Sequence, residues 1–338
     1  QTCALPIYCD HSSTSCPWTC ASGVLREGGD LPLVIERVAT SAPCADVTTL
    51  TQENAAAVID ALGLGHWRRA RALLTALAAR QTREFSGTLA EYDRRVGEQG
   101  LSEGSAWLLA RFIGTLEIVG QEHVPRVGPV ILVSNHPGLS DTLALFTSTP
   151  RADLLTIAAD RPFLRALPNT SQRLIYLPPG DQPRIGALRA LAEQLRAGGA
   201  VLTFPAGAIE PDPALQADRA AQLDGWAESL AILTRMAPEV PLVPVIVRGV
   251  LSAAAQSHPL TWLRRSQRDR SWLGATLQLM ARRYQRVNVE VRFGPPLWAQ
   301  VVASRSTTID SSWVKSSGSE RNFSTSGNRE STRSRKRL

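Results

Sequence analysis

Hydrophobic positions between residues 115 and 296 fall into short apolar runs separated by turn residues. The clearest is Val130-Ile131-Leu132-Val133-Ser134, led in by Gly128-Pro129. A run this short, this apolar and this rich in β-branched side chains predicts a buried strand. Similar runs predict strands at Leu116–Gly120, Leu154–Ala158, Arg173–Leu177, Ala200–Phe204, Val243–Val247 and Val289–Phe293. Helical patterns lie between them. Ile185, Leu188, Leu191, Ala192 and Leu195 share one face of a helix predicted over Pro183–Arg196, stopped by Gly198-Gly199. Ser140-Asp141-Thr142 starts another with capping residues, Arg161–Leu167 reads as a short one, and Trp226–Met236 as a further one. Strands alternating with helices predict an α/β fold: a mostly parallel sheet covered by helices.

Before residue 115 the pattern is helical throughout. Helices are predicted at about 51–62, 66–85 and 102–113, forming an N-terminal helical layer. In the second, Trp67, Ala70, Leu73, Leu74, Leu77 and Phe85 recur at near-helical spacing, while Arg68, Arg69, Arg71, Arg80 and Arg83 take much of the rest. This basic amphipathic helix reads first as one packed on the domain with a solvated Arg face, and second as a membrane-surface helix. A long basic helical region is predicted from about Leu260 to Arg286. From Thr261 it carries seven Arg against the single acid Asp269, with Trp262, Leu263, Trp272, Leu273, Leu277 and Met280 as apolar anchors. That combination suits an anionic membrane surface. No run reaches the roughly 18 apolar residues of a span.

Composition changes the picture mainly at the ends. The chain has 338 residues and a formal net charge of +7, but residues 301–338 hold eight Lys/Arg against three Asp/Glu. The high pI therefore belongs mostly to the tail, and no nucleic-acid partner is read from it. That tail is Ser-rich and aperiodic and contains both lysines, Lys315 and Lys336. It reads as a disordered or non-native basic tail, and residues 1–50 as a disordered or non-native leader. The predicted divisions are thus 1–50, a helical region over 51–110, an α/β domain over 111–300, and the tail. Cys3, Cys9, Cys16 and Cys20 cluster with His11, but no C-x-x-C pair is present and no metal site is read. With Cys44 the cysteine count is odd, so a reducing, cytoplasmic setting is the default.

Candidate chemistry sits at two strand ends. Asn135-His136-Pro137-Gly138-Leu139-Ser140-Asp141 follows the clearest strand and leads into a helix. At such a turn His136 and Asp141 can meet. The carboxylate would fix the imidazole tautomer and let His136 act as a general base. A turn His that merely caps the helix is the structural alternative. The second turn is Phe204-Pro205-Ala206-Gly207, where Pro and Gly make a rigid bend that lets a ligand approach the backbone.

Together and in this order, these blocks resemble the glycerolipid acyltransferases, the family of 1-acylglycerol-3-phosphate and other lysophospholipid acyltransferases. Asn135, His136 and Asp141 match its Asn-His-x4-Asp block; Phe204, Pro205 and Gly207 match Phe-Pro-Glu-Gly; Val243-Pro244-Val245 matches its Val-Pro-Val strand. The resemblance covers roughly residues 111–297. It implies transfer of a fatty acyl group from acyl-CoA or an acyl carrier protein to a lipid hydroxyl. His136 and Asp141 would be catalytic, and Asn135, Gly138, Phe204, Pro205 and Gly207 would contact substrate. It implies no cofactor beyond that co-substrate, a membrane lipid acceptor, and peripheral attachment at the cytoplasmic face of a membrane. The chain departs from the family at Ala206, which replaces Glu, at Ala208-Ile209, and at Pro178-Pro179-Gly180, where an Arg is usual. Those groups are associated with the acceptor's phosphate, so the departures point to an acceptor other than lysophosphatidic acid, although Arg161, Arg173 and Arg184 lie nearby. A catalytically inactive lipid-binding protein on the same fold is the alternative. A serine hydrolase lacks its G-x-S-x-G here.

Overall fold

The structure is a computed structural model that describes residues 44–64, 68–178, 185–216, 226–298 and 333–336. The cysteine cluster before residue 44 lies outside them. So do residues 299–332 of the tail, Pro179, Gly180 and Arg184. Side chains are described from Thr82 onward in the second predicted helix, so its Arg face before that point is outside as well.

Three helices come first: α1 (Val47–Ala61), α2 (Arg68–Gln99) and α3 (Leu101–Leu109). The α2 helix runs well past the predicted end at residue 85. Its core face continues through Leu89, Tyr92 and Val96, and Glu91 pairs with Arg94 and Arg95 on the outside. It stops where Gly100 adopts φ +94°, a conformation open to glycine.

The α/β part then alternates as the apolar runs predict. It contains β1 (Ile113–Val119), β2 (Val130–Ser134), α4 (Asp141–Ser148), β3 (Leu155–Ala159), α5 (Pro162–Arg165), α6 (Pro168–Ser171) and β4 (Leu174–Leu177). It continues with α7 (Ile185–Arg196), β5 (Ala200–Thr203), α8 (Ala227–Met236), β6 (Leu242–Arg248), α9 (Ala253–Gln256), α10 (Gln267–Met280) and β7 (Val287–Phe293). A last strand, β8 (Arg333–Lys336), falls in the segment read as a tail.

Sheet order is β4-β3-β5-β2-β6-β7-β1-β8. Strands β4, β3, β5, β2 and β6 are mutually parallel; β7 turns antiparallel to β6, β1 is parallel to β7, and β8 is antiparallel to β1. Strand β2 is central and buried at all five positions, which is why its sequence is a continuous apolar run. Val130 and Leu132 face the core made with α1, α2, α3 and α4. Ile131 and Val133 face Leu191, Leu195, Trp226 and Leu233 on the other side. Toward the far edge the second face turns polar: Thr115 and Glu117 on β1, Asn288 and Glu290 on β7.

The long helix predicted over Leu260–Arg286 is broken. A 3-10 turn at Pro259–Leu263 precedes α10, and another follows at Arg282–Tyr284. Ser266 caps α10 by accepting the Asp269 N–H at 3.1 Å, so the helix starts there.

One buried carboxylate ties the helical layer to the sheet domain. Asp93 of α2 has no exposed surface and accepts four hydrogen bonds, from the backbone and side chain of Asn169 and of Thr170, at 2.7–3.2 Å. It caps the first turn of α6 from another element. Removing it leaves buried donors unpaired, so Asp93→Ala should lower stability by about 3 kcal/mol. Urea unfolding measures this; an unchanged midpoint would show the cap to be dispensable.

Candidate active site

The carboxyl ends of β2, β5 and β6 lie side by side, and the turns that leave them meet. Strand β2 ends at Ser134, but Asn135 continues its pairing with a side chain. The Asn135 amide donates to Val247 O at 2.8 Å, and its oxygen accepts the Val247 N–H at 2.8 Å. Asn135 is buried and its amide is consumed by β6, so it acts on the site through the backbone instead of facing a substrate.

The chain then turns through His136-Pro137-Gly138 into α4. Asp141, wholly buried in the first turn of α4, accepts from His136 Nδ1 at 2.7 Å and from the Gly138 N–H at 3.1 Å with one oxygen. Its other oxygen takes the Thr142 N–H at 2.6 Å and the Thr142 hydroxyl at 3.2 Å. An ionised carboxylate holding Nδ1 requires the proton on that nitrogen. Nε2 is then the basic atom, on a side chain a quarter exposed. Gly138 sits in a tight place: a Cβ there would meet Val250 and Leu251 methyl groups at 3.1 Å, so those side chains would have to give by a few tenths of an ångström.

The second predicted turn arrives beside it. The Phe204 ring stacks on His136 with centroids 4.6 Å apart at a 32° tilt. Pro205 is buried beneath. Gly207, at φ +60°, closes the turn by donating its N–H to Phe204 O at 3.0 Å. The structure thus gathers His136, Asp141, Gly138 and Phe204 into one cluster, and Pro205 and Gly207 belong to the turn that carries Phe204.

Two residues that the motifs did not single out complete it. Glu210 accepts the His136 N–H at 3.0 Å and the Trp226 indole N–H at 2.8 Å, and its own N–H donates to His136 O at 2.9 Å. Asp212, with no exposed surface, accepts the N–H groups of Ala214, Gly249 and Leu251 at 2.8–2.9 Å. The signal for both was local: two acids in a Pro-rich turn after a buried strand.

Electrostatics follow from burial and charge. Burial alone would pull the His136 pKa down, but the charge and hydrogen bond of Asp141, helped by the charge of Glu210, outweigh it and hold the imidazole above 6.5. Burial raises the Glu210 pKa against its Trp226 and His136 hydrogen bonds, and raises that of Asp212 against its backbone donors. Of the three arginines that could have supplied a displaced cation, Arg161 stands exposed where β3 ends, on this edge. Arg173 stands before β4 and donates to Ala152 O. Among the described residues, no three or more His, Cys, Asp and Glu side chains gather as a metal site would need.

Residues 115–248 match the sequence model of the Acyltransferase family. No curated protein sequence matches the chain. Among solved structures the chain is similar to the 1-acyl-sn-glycerophosphate (LPA) acyltransferase PlsC of Thermotoga maritima, at 17% identity and a TM-score of 0.37, over 80% of this chain and 93% of that one.

Asp141→Asn should lower the His136 pKa toward or below the free-imidazole value, because the two effects that outweigh burial come from this carboxylate. An NMR titration of the imidazole reads it. A pKa unmoved by the substitution would mean that Asp141 holds only the backbone of the turn.

Proposed function

We propose that this chain, whose residues 115–248 match the sequence model of the Acyltransferase family, moves a fatty acyl group from an acyl thioester, acyl-CoA or an acyl carrier protein, to a lipid hydroxyl. The observation that carries this reading is the 2.7 Å bond from His136 Nδ1 to a buried, fully hydrogen-bonded Asp141, which leaves Nε2 free and basic. Nε2 takes the proton of the acceptor hydroxyl as its oxygen attacks the thioester carbonyl. The tetrahedral adduct expels the thiolate, which recovers a proton from the imidazolium. Asp141 stabilises that imidazolium between the two transfers and keeps Nδ1 protonated throughout. No covalent enzyme intermediate is required.

The acceptor we propose is a lysolipid whose headgroup is not a phosphate monoester. Where the family resemblance leads one to expect Glu, Thr and Arg, the chain has Ala206, Ala208 and Ile209, and the nearest ionisable side chains after the turn are the carboxylates of Glu210 and Asp212. Carboxylates beside the base repel a doubly charged phosphate.

Such a substrate is reached at a membrane. Among the described residues no helix is long and apolar enough to cross one. The proposed contact is the 3-10 turn before α10, where Trp262 is 74% and Leu263 66% exposed. Arg265 and Arg282 are exposed on the same segment. Arg264 is not part of this contact: it pairs with Asp269 at 3.2 Å. An exposed Trp-Leu pair flanked by arginines suits the lipid–water interface of an anionic bilayer.

His136→Ala should retain the fold and lower acyl transfer by about 10²–10⁴-fold, the usual worth of a general base. Thiol release from acyl-CoA, run over a panel of lysolipids, measures it. Near-wild-type turnover by folded His136→Ala protein would rule out the mechanism, and a clear preference for lysophosphatidic acid would rule out the acceptor assignment. For the membrane contact, doubly substituted Trp262→Ser, Leu263→Ser protein should pellet far less with anionic liposomes at low salt than wild type. Equal pelleting would place the contact elsewhere.

A further inference from the structure

The loop after β5 does more than carry Phe204. Its two carboxylates point inward and nail it to both neighbouring turns. Asp212 binds three backbone N–H groups, two of them in the turn after β6. Val250 and Leu251 of that turn in turn pack on Gly138. Glu210 binds the turn after β2 at one residue, His136, and binds both of its backbone groups. That residue stands between a strand and a helix, where neither ladder nor helix supplies partners. A backbone N–H left unpaired there would be costly, so the Glu210 bond fixes where the chain runs. The other Glu210 oxygen is held by the Trp226 indole, whose ring is buried in the core. The carboxylate is therefore held at both oxygens.

We propose that Glu210 is the positioning residue of this site: it holds His136 by the main chain while Asp141 holds it by the ring, and the two together aim Nε2. The assignment of a reaction to Nε2 rests on the acyl-transfer reading; the clamp itself does not. Glu210 is assigned the positioning role because each of its oxygens is held by an N–H, one from the His136 main chain and one from the Trp226 indole. Two ionisable groups face the imidazole, Asp141 from α4 and Glu210 from this loop. The end of β5 brings Phe204, and the turn after β6 brings Val250 and Leu251, none of which titrates. Arg248, at the end of β6, binds Glu290 at 2.8 Å. Glu210 thus also supplies a second negative charge beneath the imidazolium, in the same direction as the raised His136 pKa.

The test uses full-length protein carrying Glu210→Gln, Glu210→Asp or Trp226→Phe, each checked for fold by circular dichroism. The readouts are NMR titration of His136 and steady-state kinetics with a long-chain acyl-CoA and a lysolipid across neutral pH. Glu210→Gln should lower the imidazole pKa, moving the acid limb of the rate profile to lower pH. It should cut kcat about tenfold, as a displaced base does, with KM for acyl-CoA little changed. Glu210→Asp keeps the charge on a shorter arm, so the pKa stays raised while kcat still falls. Trp226→Phe frees one oxygen and gives a smaller loss of kcat. A folded Glu210→Gln protein with unchanged pKa and kcat overturns the proposal, as does a lower melting temperature with kinetics untouched. A rise in KM at constant kcat overturns it too, by making Glu210 a substrate contact. If Glu210→Gln does not fold, unchanged kcat in both other variants overturns it. Should the wild type transfer no acyl group at all, the acyl-transfer reading fails, while the NMR shift in Glu210→Gln still decides the clamp.

Discussion

The site depends on β2 lying between β5 and β6 in parallel register. Val133 pairs with Thr203 on one side and with Pro244 on the other. Parallel neighbours end at the same edge, so the turn of each strand is delivered beside the other two without any long-range steering by loops. His136, the Phe204 ring and the Gly249–Leu251 turn are adjacent for this reason, and the Glu210 and Asp212 carboxylates then tie them together. The antiparallel β7 then flanks β6 on its far side, and the sheet continues past the site through β1.

Much of this was legible in sequence, for a physical reason. Strands buried on both faces leave unbroken apolar runs, and the runs around Val130, Val201 and Val243 fall where the strands are. The His136–Asp141 pair was legible because both partners sit five residues apart across one turn. The sheet order was not, and neither was the reversal of β7, since an apolar run carries no sign of its direction. The helical region near residue 260 misled because Arg, Trp and Leu at mixed spacing satisfy helical periodicity, while His258, Ser266 and Pro259 are the residues that cut it. The resemblance implied that Asn135 contacts substrate; its paired hydrogen bonds with Val247, 112 positions away, show an amide spent inside the sheet.

Glu210 was illegible for a different reason. The family resemblance drew attention to position 206, where an acid is expected and Ala206 stands. A carboxylate does reach the site from this loop, but from four residues downstream, and its partner Trp226 opens the next described segment. Nothing local relates Glu210 to His136. What a sequence could show was only that Glu210 and Asp212 alternate with Pro211 and Pro213 in the turn after a buried strand. The result is an imidazole surrounded by fixed N–H–carboxylate bonds.

The Asn135 amide has one more consequence. By standing in for a peptide group, it satisfies both hydrogen-bonding groups of Val247 one residue after β2 has left the sheet. The departure point of the chain is therefore counted off against β6 in whole residues. A slip of one would orphan two buried partners and turn every side chain of β2 to the opposite face. Where His136 emerges is thus a discrete quantity, like a tooth on a gear. The loops around it can adjust how the ring is aimed, but not the residue at which the chain leaves the sheet.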